Sequence, residues 1–92
     1  MKGKFKKRLI AMRLTQINQR KKIIENLLNE IDNKTAMIKD LNSLLSLHNS
    51  KGDKDRYQRN YFLVVGEIKT LHQRIEVERI EIDLLKLKIN LI

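Results

Sequence analysis

The sequence contains no proline, cysteine or tryptophan, and it has only three glycines and four aromatic residues (two Tyr, two Phe) in 92 residues. Without cysteine the chain cannot form disulfides, use thiolate chemistry or bind zinc through cysteine. A compact globule of this size normally needs an aromatic core and several turns. The scarcity of both predicts a single all-α domain built from a few long helices.

Long apolar runs are also absent. The longest, LIAM at 9–12 and YFLVV at 61–65, are too short to cross a bilayer. The basic N-terminal stretch lacks the apolar core and the small-residue cleavage site of a secretory signal. We therefore expect a cytoplasmic protein without a membrane span.

An aliphatic residue recurs at every seventh position of the first half, which predicts a helix whose seam, the stripe of side chains facing a partner helix, follows this column. The column is Ile10, Ile17, Ile24, Ile31, Ile38 and Leu45. We expect the positions four residues further on to complete the seam. This companion column is mixed in character: Leu14, Lys21, Leu28, Thr35 and Asn42.

The second half carries a seam of its own, in which apolar residues alternate at spacings of three and four. Glu78 is its only interruption. A run of this length predicts a second long helix. The predicted positions are Tyr57, Tyr61, Val64, Ile68, Leu71, Ile75, Glu78, Ile82, Leu85, Ile89 and Ile92.

Turn-forming residues concentrate in HNSKGDKD, at 48–55. We predict helix 1 over about 4–48, a turn at about 49–54 and helix 2 over about 55–92. Gly52 is expected to take a positive φ, and Asp53 or Asp55 to cap the second helix.

One antiparallel register brings the two seams together along their whole length. It pairs Ile31 with Leu71 and Ile17 with Leu85, and it places both chain ends at one tip. The predicted fold is a long antiparallel two-helix coiled-coil hairpin.

The formal net charge of +9 resides in the first 22 residues, which hold nine Lys and Arg and no acidic residue. The register sets the acidic residues of helix 2 level with the last three of these cations, so we expect mostly exposed ion pairs there. Lys2 to Arg13 are left without acidic neighbours. The residues predicted to pair are Glu76, Glu78, Glu81 and Asp83 with Arg20, Lys21 and Lys22.

Both helices carry more apolar residues than a two-helix seam needs. A second row on helix 2 is offset from the seam by about 200° and faces away from it. Contiguous exposed apolar surface marks an interface, either with a second hairpin in a four-helix bundle or with a partner around the tip. The row is Val77, Ile80, Leu84, Leu87 and Leu91, and helix 1 adds Ile23, Leu27, Met37, Leu41 and Leu44.

The residue patterns of catalysis are missing. His48 and His72, the only histidines, fall about 27 Å apart in this register and cannot share a metal or a substrate. Single glycines provide no loop that cradles phosphates. We expect no enzyme activity, no metal site and no cofactor.

Three roles remain for the basic tip. Nine cations on one helical segment are typical of sequence-independent nucleic-acid binding, although Phe5 alone offers little base stacking. A helical chaperone or structural bundle protein would instead use the surplus apolar rows. The third role comes from a family resemblance.

The basic opening KKRLIAMRLTQINQRKKIIENLLNEI and the apolar closing helix IEIDLLKLKINLI resemble the central stalks of rotary ATPases. The size and the lack of an inserted globular domain are most similar to the FliJ/YscO family, the stalk proteins of flagellar and type III secretion export machines. RYQRNYFLVVGEIKTLHQRIEVERIEIDLL, at 56–85, resembles that family's second helix, in which an aromatic-rich entry leads into a charged coiled coil.

The resemblance implies a non-enzymatic stalk whose terminal tip binds in the central opening of a hexameric export ATPase ring. The turn end would contact the cytoplasmic part of the membrane export gate, so that hydrolysis is coupled to secretion. The ring contacts implied are Lys6, Lys7, Arg8, Arg13, Arg20, Val77, Ile80, Leu84, Leu87 and Leu91. The gate contacts implied are Leu44, Tyr57, Tyr61 and Phe62.

Overall fold

A computed structural model describes residues 2–47 and 51–92. It contains two α-helices, α1 (Lys2–Leu47) and α2 (Lys51–Asn90). They pack against each other as an antiparallel pair, in a molecule that measures 74 × 14 × 12 Å. The predicted all-α helical hairpin is confirmed.

The start of α2 differs from the prediction. The helix begins at Lys51, so that Gly52 is helical, and no described glycine has a positive φ. The expected positive φ at Gly52 is therefore wrong. Asp53 lies in the first turn of α2, where its negative charge interacts favourably with the positive end of the helix dipole and stabilises the helix. Residues 48–50, which include His48, lie outside the described residues.

The α2 seam is confirmed at all eleven predicted positions, each of which is buried or half-buried. Val64, Leu71, Ile75, Ile82 and Leu85 are the buried members. The other six, Glu78 included, are half-buried. A strict alternation of three and four is enough to locate the buried stripe of this helix.

The α1 seam is confirmed in one column and wrong in the other. The aliphatic column from Ile10 to Leu45 is buried or half-buried throughout, whereas all five members of the companion column are exposed. Leu14 and Leu28 are 49% and 42% exposed. The positions that face α2 lie three residues after the aliphatic column instead of four, and they are Arg13, Arg20, Leu27, Lys34 and Leu41.

The error has a physical cause. A column of period seven can be completed into a seam on either side, by the residues three or four positions further on. Each side of this column offers two leucines among polar residues. Only the position of the partner helix selects the side, and it selects the one that carries three cations.

The core is a thin line of aliphatic side chains. Leu27, Ile31, Leu71 and Ile75 form one buried cluster, and Ile17, Ile82 and Leu85 form another. Half-buried Ile24 packs against both clusters and joins them. These clusters contain the predicted pairs Ile31–Leu71 and Ile17–Leu85, which confirms the register there.

Helix α1 carries its surplus apolar surface on other residues than predicted. Leu27 is only 3% exposed, and Leu41 and Leu44 are half-buried against α2. Of the five surplus residues predicted on this helix, Ile23 and Met37 are exposed. Leu14 and Leu28, which were predicted in the seam, are exposed as well.

Candidate partner-binding surface at the terminal tip

The terminal tip, formed by residues 2–18 of α1 and 84–92 of α2, begins with an overhang. The register sets Ile92 level with Ile10, so that the first residues of α1 extend beyond the end of α2. All side chains from residue 3 to residue 8 are exposed, and Phe5 is 69% exposed. This segment is a single helix with no neighbour to bury its apolar residue.

Both helices contribute positively charged residues to the tip. Its two segments contain eight Lys and Arg and no Asp or Glu. The second helix contributes two of the cations, so the fold adds charge to an end that is already basic. The eight residues are Lys2, Lys4, Lys6, Lys7, Arg8, Arg13, Lys86 and Lys88. A surface with one sign of charge attracts anionic partners and speeds their association.

Arg20, the residue nearest the tip that has an acidic partner across the seam, is held by Glu78. Its Nη1 donates to both carboxylate oxygens of Glu78, at 3.0 and 3.2 Å. The two side chains are 40% and 15% exposed. This pair accounts for the one polar residue in the predicted α2 seam. Glu76, also predicted to face the basic stretch, lies 4.0 Å from Arg79 of its own helix.

Arg13 occupies the corresponding seam position seven residues earlier, but it has no acidic partner among residues 2–47 and 51–92. Its Nη1 donates to Oε1 of Gln16 at 3.2 Å, and its buried Nε has no hydrogen-bond partner. It lines an open cleft of about 340 Å³, here called the tip cleft, together with Gln16, Arg20, Glu81, Leu85 and Lys88. The lining of this cleft therefore brings in a further cation, Lys88, from α2.

The outward row of α2, defined as Val77, Ile80, Leu84, Leu87 and Leu91, is exposed at every position. Leu84 is the least exposed, at 45%, and Leu91 the most, at 85%. The prediction that this row faces away from α1 is confirmed. It extends over about 21 Å of helix and ends at the basic tip.

The residues predicted at the turn end have two different environments. Leu44, Tyr57 and Tyr61 are half-buried, whereas Phe62 is 65% exposed. The rings of Tyr61 and Phe62 make an edge-to-face contact, with centroids 5.7 Å apart and planes at 79°. Leu44 lines an open groove of about 340 Å³, whose other walls include Met37, Leu41, Leu63 and Val64.

The described ranges, 2–47 and 51–92, contain neither a metal-ligating cluster nor a membrane-spanning helix. They contain no group of three or more metal-ligating side chains, and His72 stands exposed on α2. Neither helix has a stretch that is long and apolar enough to cross a membrane. The features that remain are the charged tip, the outward row and the apolar groove near the turn.

Sequence reasoning predicted that Arg20 pairs with the acidic group of helix 2 that includes Glu78, and this pairing is confirmed. It missed that Arg13 and Arg20 lie in the seam. Both were predicted as surface contacts of the tip, and the structure places both half-buried between the helices. Lys6, Lys7 and Arg8 are exposed as predicted. The signal that identifies Arg20 is Glu78, because an acidic residue inside an otherwise apolar seam calls for a cation opposite it.

No protein-family model, curated protein or solved structure matches the chain.

Proposed function

We propose that the chain is a non-enzymatic coiled-coil stalk of the FliJ/YscO type. Its terminal tip binds in the central opening of a secretion-export ATPase ring, and its turn end contacts the export gate at the cytoplasmic face of the membrane. The observation that carries the proposal is the coincidence of two features at one end of a narrow hairpin. These features are the outward row and eight basic residues without an acidic one.

The shape is suited to such a role. A rod 74 Å long and 14 Å wide reaches from one partner to another while it occupies a narrow opening. Its two helices are held together by a continuous aliphatic core, so their outer faces are free for contact. The stalk thus has separate surfaces for its own folding and for its partners.

The outward row gives a contact without fixed directionality. Its five aliphatic side chains make no hydrogen bonds, and apolar contact is non-directional. The row can therefore pack against each subunit of the ring in turn without a fixed set of bonds to any one of them. The exposed cations Lys6, Lys7 and Arg8 add attraction to acidic surfaces and raise the rate of encounter. This combination fits an asymmetric rod inside a ring of repeated subunits.

The turn end supplies the second contact. Phe62 presents an exposed aromatic ring that contacts Tyr61, and the residue after it, Leu63, lines the apolar groove with Leu44. Exposed aromatic residues beside an apolar groove are typical anchors in protein–protein interfaces. We assign this end to the export gate.

The test is capture of the chain from its native host through a tag inserted between Leu47 and Lys51, which leaves the tip free. The capture is run with and without nuclease, and the bound proteins are identified. A hexameric ATPase that stays bound after nuclease treatment supports the proposal. If no ATPase is recovered under either condition, the stalk assignment is wrong.

Two double variants then measure the contact with the captured ATPase. Leu84→Asp with Leu87→Asp replaces two exposed side chains, 45% and 57% exposed, and is expected to abolish binding. The matched control, Met37→Asp with Leu63→Asp, changes side chains that are 49% and 63% exposed on the turn half. Equal loss of ATPase binding in both double variants would contradict the assignment of the outward row.

Nucleic-acid binding is the second candidate, favoured by the eight cations of the tip. Contacts with phosphates would release counterions, so the affinity would fall steeply with salt. Arg8→Glu with Arg13→Glu would then eliminate binding, whereas the Leu84 and Leu87 variant would retain it. Partners that disappear from the capture after nuclease treatment favour this candidate.

A further inference from the structure

The tip cleft contains a half-buried arginine, Arg13, that has no negatively charged partner within the described residues. We propose that Arg13, Gln16 and Lys88 form a socket for a carboxylate side chain of a protein partner. The inference rests on the proposed function for the partner's identity, but it rests on the structure of the cleft for the chemistry of the ligand.

Arg20 is an arginine of the same seam whose charge and hydrogen-bond donors have a partner. Its guanidinium reaches both oxygens of Glu78, so the charge and the hydrogen-bond donors have an acceptor within the hairpin. Arg13 stands one heptad closer to the tip on the same side of α1. The position across from it is filled by Lys88 and Leu85, neither of which accepts a hydrogen bond through its side chain.

The Arg13 side chain has more hydrogen-bond donors than acceptors to bind them. A guanidinium carries five N–H groups. Within the described residues, the only hydrogen bond of this side chain is the one from Nη1 to Gln16, and Nε is buried with no partner. A buried polar group without a partner costs free energy, and a charged one costs more. An anion in the cleft would supply the negative charge that this guanidinium lacks.

The acidic residue already in the cleft does not fill this role. Glu81 lies seven residues from Lys88 on α2, about 10 Å along the helix and level with Arg20. The end of the cleft that holds Arg13 and Lys88 has no carboxylate of its own. The two cations there repel each other until a negative charge is placed between them.

The site favours a carboxylate over a nucleic-acid phosphate because of its depth. Arg13 is half-buried between the helices, with Leu85 on the opposite wall. A Glu or Asp side chain is slim enough to enter, with its methylene groups against Leu85 and its two oxygens matching the guanidinium fork. A phosphodiester backbone runs along a surface, where Lys6, Lys7 and Arg8 are the accessible cations.

The socket is tested on the purified full chain with poly-L-glutamate as the probe, by titration calorimetry. Arg13→Met is compared with Arg8→Met, which removes the same charge from an exposed position of the same tip. Loss of one charged hydrogen-bonding group is expected to weaken poly-L-glutamate binding about tenfold for Arg13→Met, against about twofold for Arg8→Met. Lys88→Met is likewise expected to exceed Lys22→Met, an exposed lysine outside the cleft.

A second readout separates the socket from a purely structural arginine. Replacing a half-buried cation that has no acidic partner by an apolar side chain is expected to raise the Tm of the free protein, so Arg13→Met should gain stability as it loses affinity. Arg8→Met should leave the Tm unchanged. Equal loss of affinity in Arg13→Met and Arg8→Met, or a fall in the Tm of Arg13→Met, would overturn the proposal.

Single-stranded DNA, added in place of poly-L-glutamate, distinguishes the two anions. Binding to DNA is expected to weaken equally in Arg13→Met and Arg8→Met. A selective loss in Arg13→Met would assign the socket to phosphate and overturn the carboxylate proposal. These measurements use no ATPase, so a failure to recover an export ATPase from the host leaves their outcome unaffected.

Discussion

The middle of the hairpin and its terminal third use the same seam positions for different chemistry. In the middle, Leu27 and Ile31 of α1 meet Leu71 and Ile75 of α2, and all four are buried. The position that Leu27 fills, three residues after the aliphatic column of α1, recurs every seven residues. Towards the tip it is filled by Arg20 and then by Arg13. The geometry is unchanged while the apolar content falls. The middle therefore has the larger apolar core, and the terminal third combines the smaller cluster of Ile17, Ile82 and Leu85 with charge.

The largest effect should come from Ile75→Ala, because this side chain is only 2% exposed. We expect a loss of about 3 kcal/mol in the free energy of unfolding, from lost burial and the cavity left behind. Ile89→Ala, at a half-buried position of the same seam near the tip, should cost only about 1 kcal/mol. Urea titration followed by far-UV circular dichroism measures both, and equal losses would refute the contrast between middle and tip.

The next effect concerns the ion pair at the border between the two regions. Glu78→Leu leaves Arg20 without its acceptor and should destabilise the hairpin by about 1 kcal/mol. Arg20→Met added to Glu78→Leu should recover most of the loss, because an apolar pair replaces the ionic one. A double-mutant cycle in thermal unfolding checks this, and additive effects of the two changes would show that the pair is not coupled.

Replacing Gly66 or Gly3 by alanine tests how backbone entropy affects stability in each of the two regions, because neither change adds a new side-chain contact. Neither has an atom within 4 Å of an added Cβ, so alanine fits at both positions. Gly66→Ala should stabilise the hairpin by about 0.8 kcal/mol, since alanine restricts the unfolded chain. Gly3→Ala, in the overhang, should leave the Tm unchanged. A comparable rise in Tm for both would mean that the overhang unfolds together with the core.

The smallest effect is expected at the second cross-helix ion pair, between Lys34 and Glu67. Their side chains are 25% and 41% exposed, so solvent screens the attraction. Glu67→Gln should cost about 0.5 kcal/mol at low salt and less at high salt. Thermal unfolding at two salt concentrations measures it, and a loss that does not change with salt would assign the effect to packing.

The accuracy of the sequence-based prediction differs between the helices for a physical reason. In α2 the spacing of three and four is continuous from Tyr57 to Ile92, so only one stripe satisfies it. In α1 a single aliphatic column is continuous, and apolar residues stand on both sides of it. Leu28 is exposed and Leu27 buried, although each is a leucine next to the same column.

The candidate site divides in the same way. The exposure of the outward row and of Lys6, Lys7 and Arg8 follows from local periodicity and charge. The pairing of Arg20 with Glu78, 58 positions away, follows from the antiparallel register. The half-buried seam position of both arginines does not, because it depends on where the other helix packs. Within the described residues Arg13 has no acidic partner, and it lines the tip cleft with Lys88.

The amino-acid sequence by itself determined two long helices, the buried stripe of α2 and the basic character of one end. These features follow from the period of apolar residues and the order of charges along the chain, which are local properties. Only the tertiary structure decided which side of α1 faces its partner, that Arg13 and Arg20 lie in the seam, and where a cleft opens between the helices. Those outcomes depend on distances between the two helices, and the partner helix fixes them when it packs.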